Sequence, residues 1–253
     1  MLPEAFRRTG RPVVLGHRGS PLERAENTLA SFQAALAEGA DGVELDVMRC
    51  ASGELVVVHD PELTRLASRR LEVRKTSWSI LRGLDVGGAL DSRFAGARLS
   101  LLPEVLEALP ESALVNVELK GQDSPWAVDL GLAGAAALAL RGAPSPDRFL
   151  VSSFNPLLLL AFQRAGPEIA TAFLFGDRGS GLRGAPLGRL LRVQSLNPSV
   201  SRCSARSLRH WKAQGYGICV WTVDEPAAAI ALHESGVDCV ITNRPKKIRE
   251  AFK

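Results

Sequence analysis

The chain has no run of about 18 charge-free apolar residues, so neither a membrane-spanning helix nor a stable membrane association is expected. It also lacks the apolar core and small-residue cleavage site of a secretory leader. Residues 1–8 run almost directly into Val13-Val14-Leu15, and a cytoplasmic location is expected. The 4 cysteines, Cys50, Cys203, Cys219 and Cys239, form no CxxC pair and have no histidine at zinc-ligand spacing. This argues against a disulfide framework or a structural zinc and for buried or idle thiols. Excess charge is small too: the net charge is +4, with arginine spread along the chain and no aromatic-rich basic patch. No nucleic-acid partner is expected, whereas a small anionic substrate suits this balance. The densest basic stretch, Arg65, Arg69, Arg70, Arg74 and Lys75, reads as a solvated face. A glycine-rich turn after the first strand is missing as well, and His17-Arg18-Gly19 stands in its place. That counts against a doubly wound dinucleotide-binding sheet.

What is present is an alternation of short aliphatic runs with helical stretches, over a length of 253 residues that matches a one-domain α/β barrel. Strands are predicted near 13–16, 41–48, 113–119, 148–152, 170–174, 191–196, 217–222 and 237–241. Helices are predicted over 27–38, 103–109, 124–141, 155–165, 204–214, 225–235 and 244–252. Gly39 and Gly236 stand where two of these helices should end. The fold expected is a (β/α)8 TIM barrel, with 1–253 as a single domain. One stretch breaks the rhythm: 49–98 holds a short strand, 54–59, and polar, Arg-rich sequence, and reads as a small cap inserted after the second strand, over the barrel mouth. The run Leu157 to Phe162 follows the helix-starting pair Asn155-Pro156 and reads as a core-facing helix.

Chemistry is expected where strands end, because the C-terminal strand ends of such a barrel converge on one mouth. Strand one ends in His17-Arg18-Gly19, a proton carrier, a phosphate fork and a flexible turn. In the second strand, alternation puts Glu44 and Asp46 on one side and Leu45 on the other. Two carboxylates about 4 Å apart at an effective dielectric near 20 repel by about 4 kcal/mol, a cost relieved by a proton or a cation. The third strand adds Glu118 and, on the same side, Lys120. Three carboxylates make an oxygen cage suited to one divalent cation, Mg²⁺ or Ca²⁺. His59-Asp60 follows the short strand and supplies a second histidine on the same side of the molecule.

These pieces, with Glu26-Asn27-Thr28, Ser152-Ser153-Phe154, Trp221-Thr222-Val223 and Ile241-Thr242-Asn243-Arg244-Pro245, stand in an order that resembles the glycerophosphodiester phosphodiesterase family, from about Val13 to Pro245. The resemblance implies a metal-dependent hydrolase that converts a glycerophosphodiester to sn-glycerol 3-phosphate and an alcohol. It implies His17 and His59 as the acid/base pair, Glu44, Asp46 and Glu118 as metal ligands, and Arg18 and Lys120 as phosphate binders. Trp221 would line the glycerol pocket, and Glu26, Asn27 and Thr28 would support the site. The chain departs from the family pattern at Ala25, at Leu99 to Glu104 and at Asn197-Pro198, without losing a proposed ligand or acid/base group. Alternatives are a lysophospholipase D acting on lysophospholipids and a noncatalytic phosphate-binding barrel. The headgroup and the part each histidine plays are not readable from the residues, and a homo-oligomer is left open.

Overall fold

The computed structural model describes residues 2–121, 128–176 and 184–253. Among them are ten strands: β1 (Val13–His17), β2 (Gly42–Arg49), β3 (Leu55–Val57), β4 (Ser100–Leu101), β5 (Leu114–Leu119), β6 (Phe149–Ser153), β7 (Ala170–Phe175), β8 (Ser195–Pro198), β9 (Gly217–Val220) and β10 (Cys239–Thr242). Eight of them are parallel, in the order β1-β2-β5-β6-β7-β8-β9-β10, and β10 pairs back onto β1. The result is the closed (β/α)8 barrel expected from the sequence. The short β3 pairs antiparallel with the end of β2, Val57 facing Val47, and β4 pairs antiparallel with β3.

Helices α1 (Leu29–Ala37), α2 (Thr64–Ala67), α3 (Trp78–Leu81), α4 (Leu102–Ala108), α5 (Leu130–Arg141), α6 (Pro156–Ala165), α7 (Gly184–Leu190), α8 (Ala205–Ala213), α9 (Pro226–Glu234) and α10 (Pro245–Glu250) fill the connections and the chain's end. Local chemistry starts and stops them. Thr28 accepts from the Ser31 amide at 3.3 Å, Asp129 accepts from the Leu132 amide at 2.9 Å, and Asn155 caps the Pro156 helix by accepting from Leu157 and Leu158. Gly39 and Gly236, at φ +89° and +85°, end α1 and α9 in the left-handed conformation that favours glycine.

Alternation along the strands sorts two cores. Outward residues such as Val43, Leu45, Val115, Val117 and Val151 pack under α1, α5 and α6 against Phe32, Leu132 and Phe162. Leu158 and Leu159 are fully buried, so the run Leu157 to Phe162 does face the core. Inward residues Val13, Leu15, Leu114, Leu150, Ala172, Cys219, Cys239 and Ile241 fill the barrel floor, which Leu2 and Phe6 join. Each such buried aliphatic side chain contributes about 2 kcal/mol. The four cysteines are free thiols, Cys203 half-buried and the others buried, with Cys219 Sγ donating to Cys239 Sγ at 2.7 Å. Segment 49–98 has an apolar cluster that includes Val56, Leu63, Leu66, Val73 and Leu81, and Met48 of β2 joins it.

Boundaries moved in places. The strand predicted at 191–196 starts at Ser195, because Leu191 and Val193 belong to the turn after α7, where they pack with Leu208 against the helical layer. The strand predicted at 54–59 contracts to Leu55–Val57. The helix predicted over 124–141 is described as Leu130–Arg141, and residues 124–127 of that prediction lie outside the described residues.

Candidate active site

Register places the charged residues together. Across the β1–β2 pair His17 is level with Glu44, and across β2–β5 Asp46 is level with Glu118. All four side chains point inward at the C-terminal strand ends, while Leu45 points out to the helices. Carboxylate oxygens of Glu44, Asp46 and Glu118 lie within 4.8 Å of one another, and all three residues are buried.

Their surroundings divide their charges unequally. Burial raises the Glu44 carboxyl above its ordinary range, and repulsion from Asp46 raises it further. Burial likewise raises Glu118, against the pull of Lys120. Asp46 is buried too, yet Lys120 and Arg18 hold it well below the ordinary carboxylate range. The Lys120 ammonium donates to Asp46 Oδ1 at 2.8 Å and to Glu118 Oε1 at 2.6 Å. Arg18 Nε lies 3.4 Å from Asp46 Oδ2, and the Arg18 backbone N–H donates to Glu44 Oε2 at 3.1 Å. Asn27 clamps Asp46 from both sides, its Nδ2 donating to Oδ2 at 2.8 Å and its Oδ1 accepting from the Asp46 amide at 3.2 Å. Arg18 and Asn27 both hold left-handed backbone, φ 56° and 57°, a strained conformation that clusters at functional sites. Thr28 Oγ1 donates to the Ala25 carbonyl and so ties this loop to the start of α1.

Each histidine has its own orienting partner. His17 Nδ1 lies 2.7 Å from Asn243 Oδ1, and Asn243 Nδ2 donates in turn to Asp224 Oδ2 at 2.8 Å. Because the Asn243 amide nitrogen is committed to Asp224, its oxygen must accept, and His17 carries its proton on Nδ1. Burial lowers the His17 pKa, and the Arg18 cation lowers it further. His59 Nδ1 donates to Asp60 Oδ1 at 2.7 Å. Both rings therefore leave Nε2 for proton exchange.

Trp221 follows β9, with its indole N–H donating to the Asn197 carbonyl at 2.9 Å and its ring edge-to-face with Phe154 at 5.6 Å. The sequence reading missed four contributors. Asn243 and Asp60 stood within the motifs but had no role, and Asp224 and Arg65 had none either. The solvated-face reading of the basic stretch needs correcting at Arg74, which is half-buried, whereas Arg65 is exposed as expected but held by partners. Arg65 donates to Glu26 and Asp60, and Arg74 donates to the Lys120 and Gly121 carbonyls, because the inserted segment folds back onto the barrel. Arg69, Arg70 and Lys75 are exposed as expected.

A closed parallel barrel that gathers histidines, a guanidinium and an ammonium around a buried acidic cluster at its mouth has the groups that hydrolysis of a phosphoric diester on a TIM barrel would use. The sequence profile of the glycerophosphoryl diester phosphodiesterase family matches residues 17–247, and the chain belongs to that family. It is 30% identical over 239 residues to a glycerophosphodiester phosphodiesterase of Caldanaerobacter subterraneus, covering 93% of this chain and 96% of the relative. A phosphodiesterase of Oleispira antarctica, solved in complex with the product sn-glycerol-3-phosphate, superposes with a TM-score of 0.85 at 28% identity, over 95% of this chain and 96% of that one. The glycerophosphodiester phosphodiesterase of Agrobacterium tumefaciens gives a TM-score of 0.80 at 27% identity, over 94% and 99%.

Proposed function

We propose that the protein hydrolyses small glycerophosphodiesters to sn-glycerol 3-phosphate and the free alcohol, using one divalent cation held by Glu44, Asp46 and Glu118. The observation that carries the reading is the buried carboxylate trio, beside two histidines whose Nδ1 positions are already committed. The donor set fits a hard ion such as Mg²⁺ or Ca²⁺: it is all oxygen, and burial with mutual repulsion leaves Glu44 short of compensating charge. When bound, the cation would neutralise charge on the phosphoryl oxygens.

The protein's own groups do the rest. Arg18 and Lys120 bind the nonbridging oxygens and stabilise the charge that builds there. One histidine removes a proton from the nucleophile, either water or the substrate's own 2-hydroxyl, and the other delivers a proton to the departing alkoxide. Trp221 shapes the glycerol pocket, with Phe154 against its edge. The chain acts as one domain, and 49–98 caps the mouth; the bonds of Arg65 and Arg74 to groups beyond that segment support this. No helix among the described residues is long and apolar enough to cross a membrane. Four free thiols fit the reducing cytoplasm, where we place the protein.

The test is release of glycerol 3-phosphate from glycerophosphocholine after chelation, and again with Mg²⁺ or Ca²⁺ restored, in wild type and Glu44→Ala. Restored turnover that the variant lacks is expected. Absence of product with either metal would sink the reading, and product from lysophosphatidylcholine alone would move it to lysophospholipids.

A further inference from the structure

Arg65 lies near the start of the short helix α2 in the inserted segment. Its guanidinium grips two carboxylates at once. Nε donates to Asp60 Oδ2 at 2.7 Å, while NH1 and NH2 form a fork on Glu26, at 2.9 Å to Oε2 and 2.7 Å to Oε1. Each carboxylate serves a different functional side chain. The other oxygen of Asp60 accepts from His59 Nδ1 at 2.7 Å, and Glu26 Oε1 also accepts from Arg18 NH1 at 2.8 Å.

We propose that Arg65 is a positioning residue: it locks the orienting carboxylate of His59 and the orienting carboxylate of Arg18 into one rigid unit, so that the proton-transfer group and the phosphate-binding group are set together by the inserted segment. The proposal rests on the reading of His59 and Arg18 given above. Asp60 neighbours His59 in the chain, so nothing in the fold other than its own rotamer brings Oδ1 to the ring. Arg65 sets that rotamer by holding Oδ2. Glu26 sits in the irregular loop before α1, and the fork aligns both of its oxygens, one of which turns Arg18 towards the mouth. Lysine reproduces this only in part, because an ammonium has no planar fork to hold both oxygens of Glu26 while also reaching Asp60. A purely stabilising role explains the arrangement poorly: the Arg65 side chain is 44% exposed, where ion pairs add little to stability. Both carboxyls are held in their charged form. Burial opposes ionisation of Glu26 and Asp60, but hydrogen bonds outweigh it, from Arg65 and Arg18 at Glu26 and from His59 and Arg65 at Asp60.

Arg65→Met is expected to lower kcat on glycerophosphocholine about 10- to 100-fold, the usual range for residues that orient a functional group. KM should rise less than kcat falls, and the melting temperature should stay within a few degrees of wild type. Asp60→Asn should lose kcat to a similar extent, and the double variant should fall below Asp60→Asn by less than the product of the two single losses, because only the Glu26 arm of Arg65 remains to be lost. Arg65→Lys should recover only part of the loss, and it keeps a folded protein available should the methionine variant aggregate.

A second readout does not depend on turnover. The chain has only 4 histidines, so ring ¹⁵N shifts can be assigned. At alkaline pH, His59 of the wild type should show a single tautomer protonated on Nδ1, and Arg65→Met should show a mixture, while His17, held by Asn243, stays unchanged. Unaltered His59 shifts together with wild-type kcat in Arg65→Met would overturn the proposal, as would multiplicative losses in the double variant. If the wild type hydrolyses no glycerophosphodiester, the functional reading fails and the nitrogen shifts alone decide the positioning role.

Discussion

Two residues further along five of the strands, the inside of the barrel changes character. Leu15 gives way to His17 on β1, Leu114 to Asn116 and Glu118 on β5, Leu150 to Ser152 on β6, Cys219 to Trp221 after β9, and Ile241 to Asn243 after β10. The floor is apolar and filled, while the mouth gathers three buried carboxylates, two of which their surroundings push towards neutrality. A single strand therefore stabilises the fold at one end and carries chemistry at the other. The comparison teaches that the mouth can carry unfavourable burial and strained backbone because the floor closes the barrel independently of it.

Substitutions should separate the two ends. The largest effect is expected for Asp46→Asn at the mouth: turnover falls on the order of 10³-fold, and added Mg²⁺ or Ca²⁺ no longer raises the melting temperature in calorimetry. Next comes the floor, where Leu15→Ala should lose about 2–5 kcal/mol in denaturant titrations while KM stays near wild type. A floor variant that kept its stability but lost turnover would break the division.

Smaller in size and opposite in sign is Glu44→Gln. Replacing a buried carboxyl that burial and Asp46 already push towards neutrality should stabilise the metal-free protein by about 1 kcal/mol while lowering turnover by less than Asp46→Asn does, so that stability and activity move apart. The smallest effect concerns Asp41, a carboxylate just below the floor. Asp41 pairs with Arg11 at 2.6 Å and accepts from the Val14 amide at 2.9 Å. Burial opposes its ionisation, but these bonds hold its pKa below the ordinary value. A depressed carboxyl stabilises the fold above its unfolded pKa of about 3.9, and that contribution disappears as pH falls through the folded value. Asp41→Asn should therefore cost about 1 kcal/mol at neutral pH after solvent screening, and the difference from wild type should vanish in acid unfolding curves.

Much of this division could be read before any coordinates. The period-two alternation of 41–48 put Glu44 and Asp46 opposite Leu45, and that of 113–119 put Glu118 on the same side as Lys120, as the ion pair between them bears out. What local sequence could not show was the end of α7, where apolar Leu191 and Val193 look like strand but serve the helical layer. Nor could it show Arg65 leaving a basic, solvent-facing stretch to hold Glu26, 39 residues earlier in the chain.

Period, composition and motif order were enough to establish the parallel barrel, the acidic trio and the pair of histidines, because side-chain direction in a strand follows from residue parity alone and strand ends in a barrel must converge. The partners that orient those histidines were decided by chain closure. Asn243 reaches His17 across 226 positions only because β10 seals against β1, and Asp60 acquires its second anchor only because the inserted segment folds back onto the loop that carries Glu26. No local pattern encodes a contact whose two ends meet only when the barrel closes.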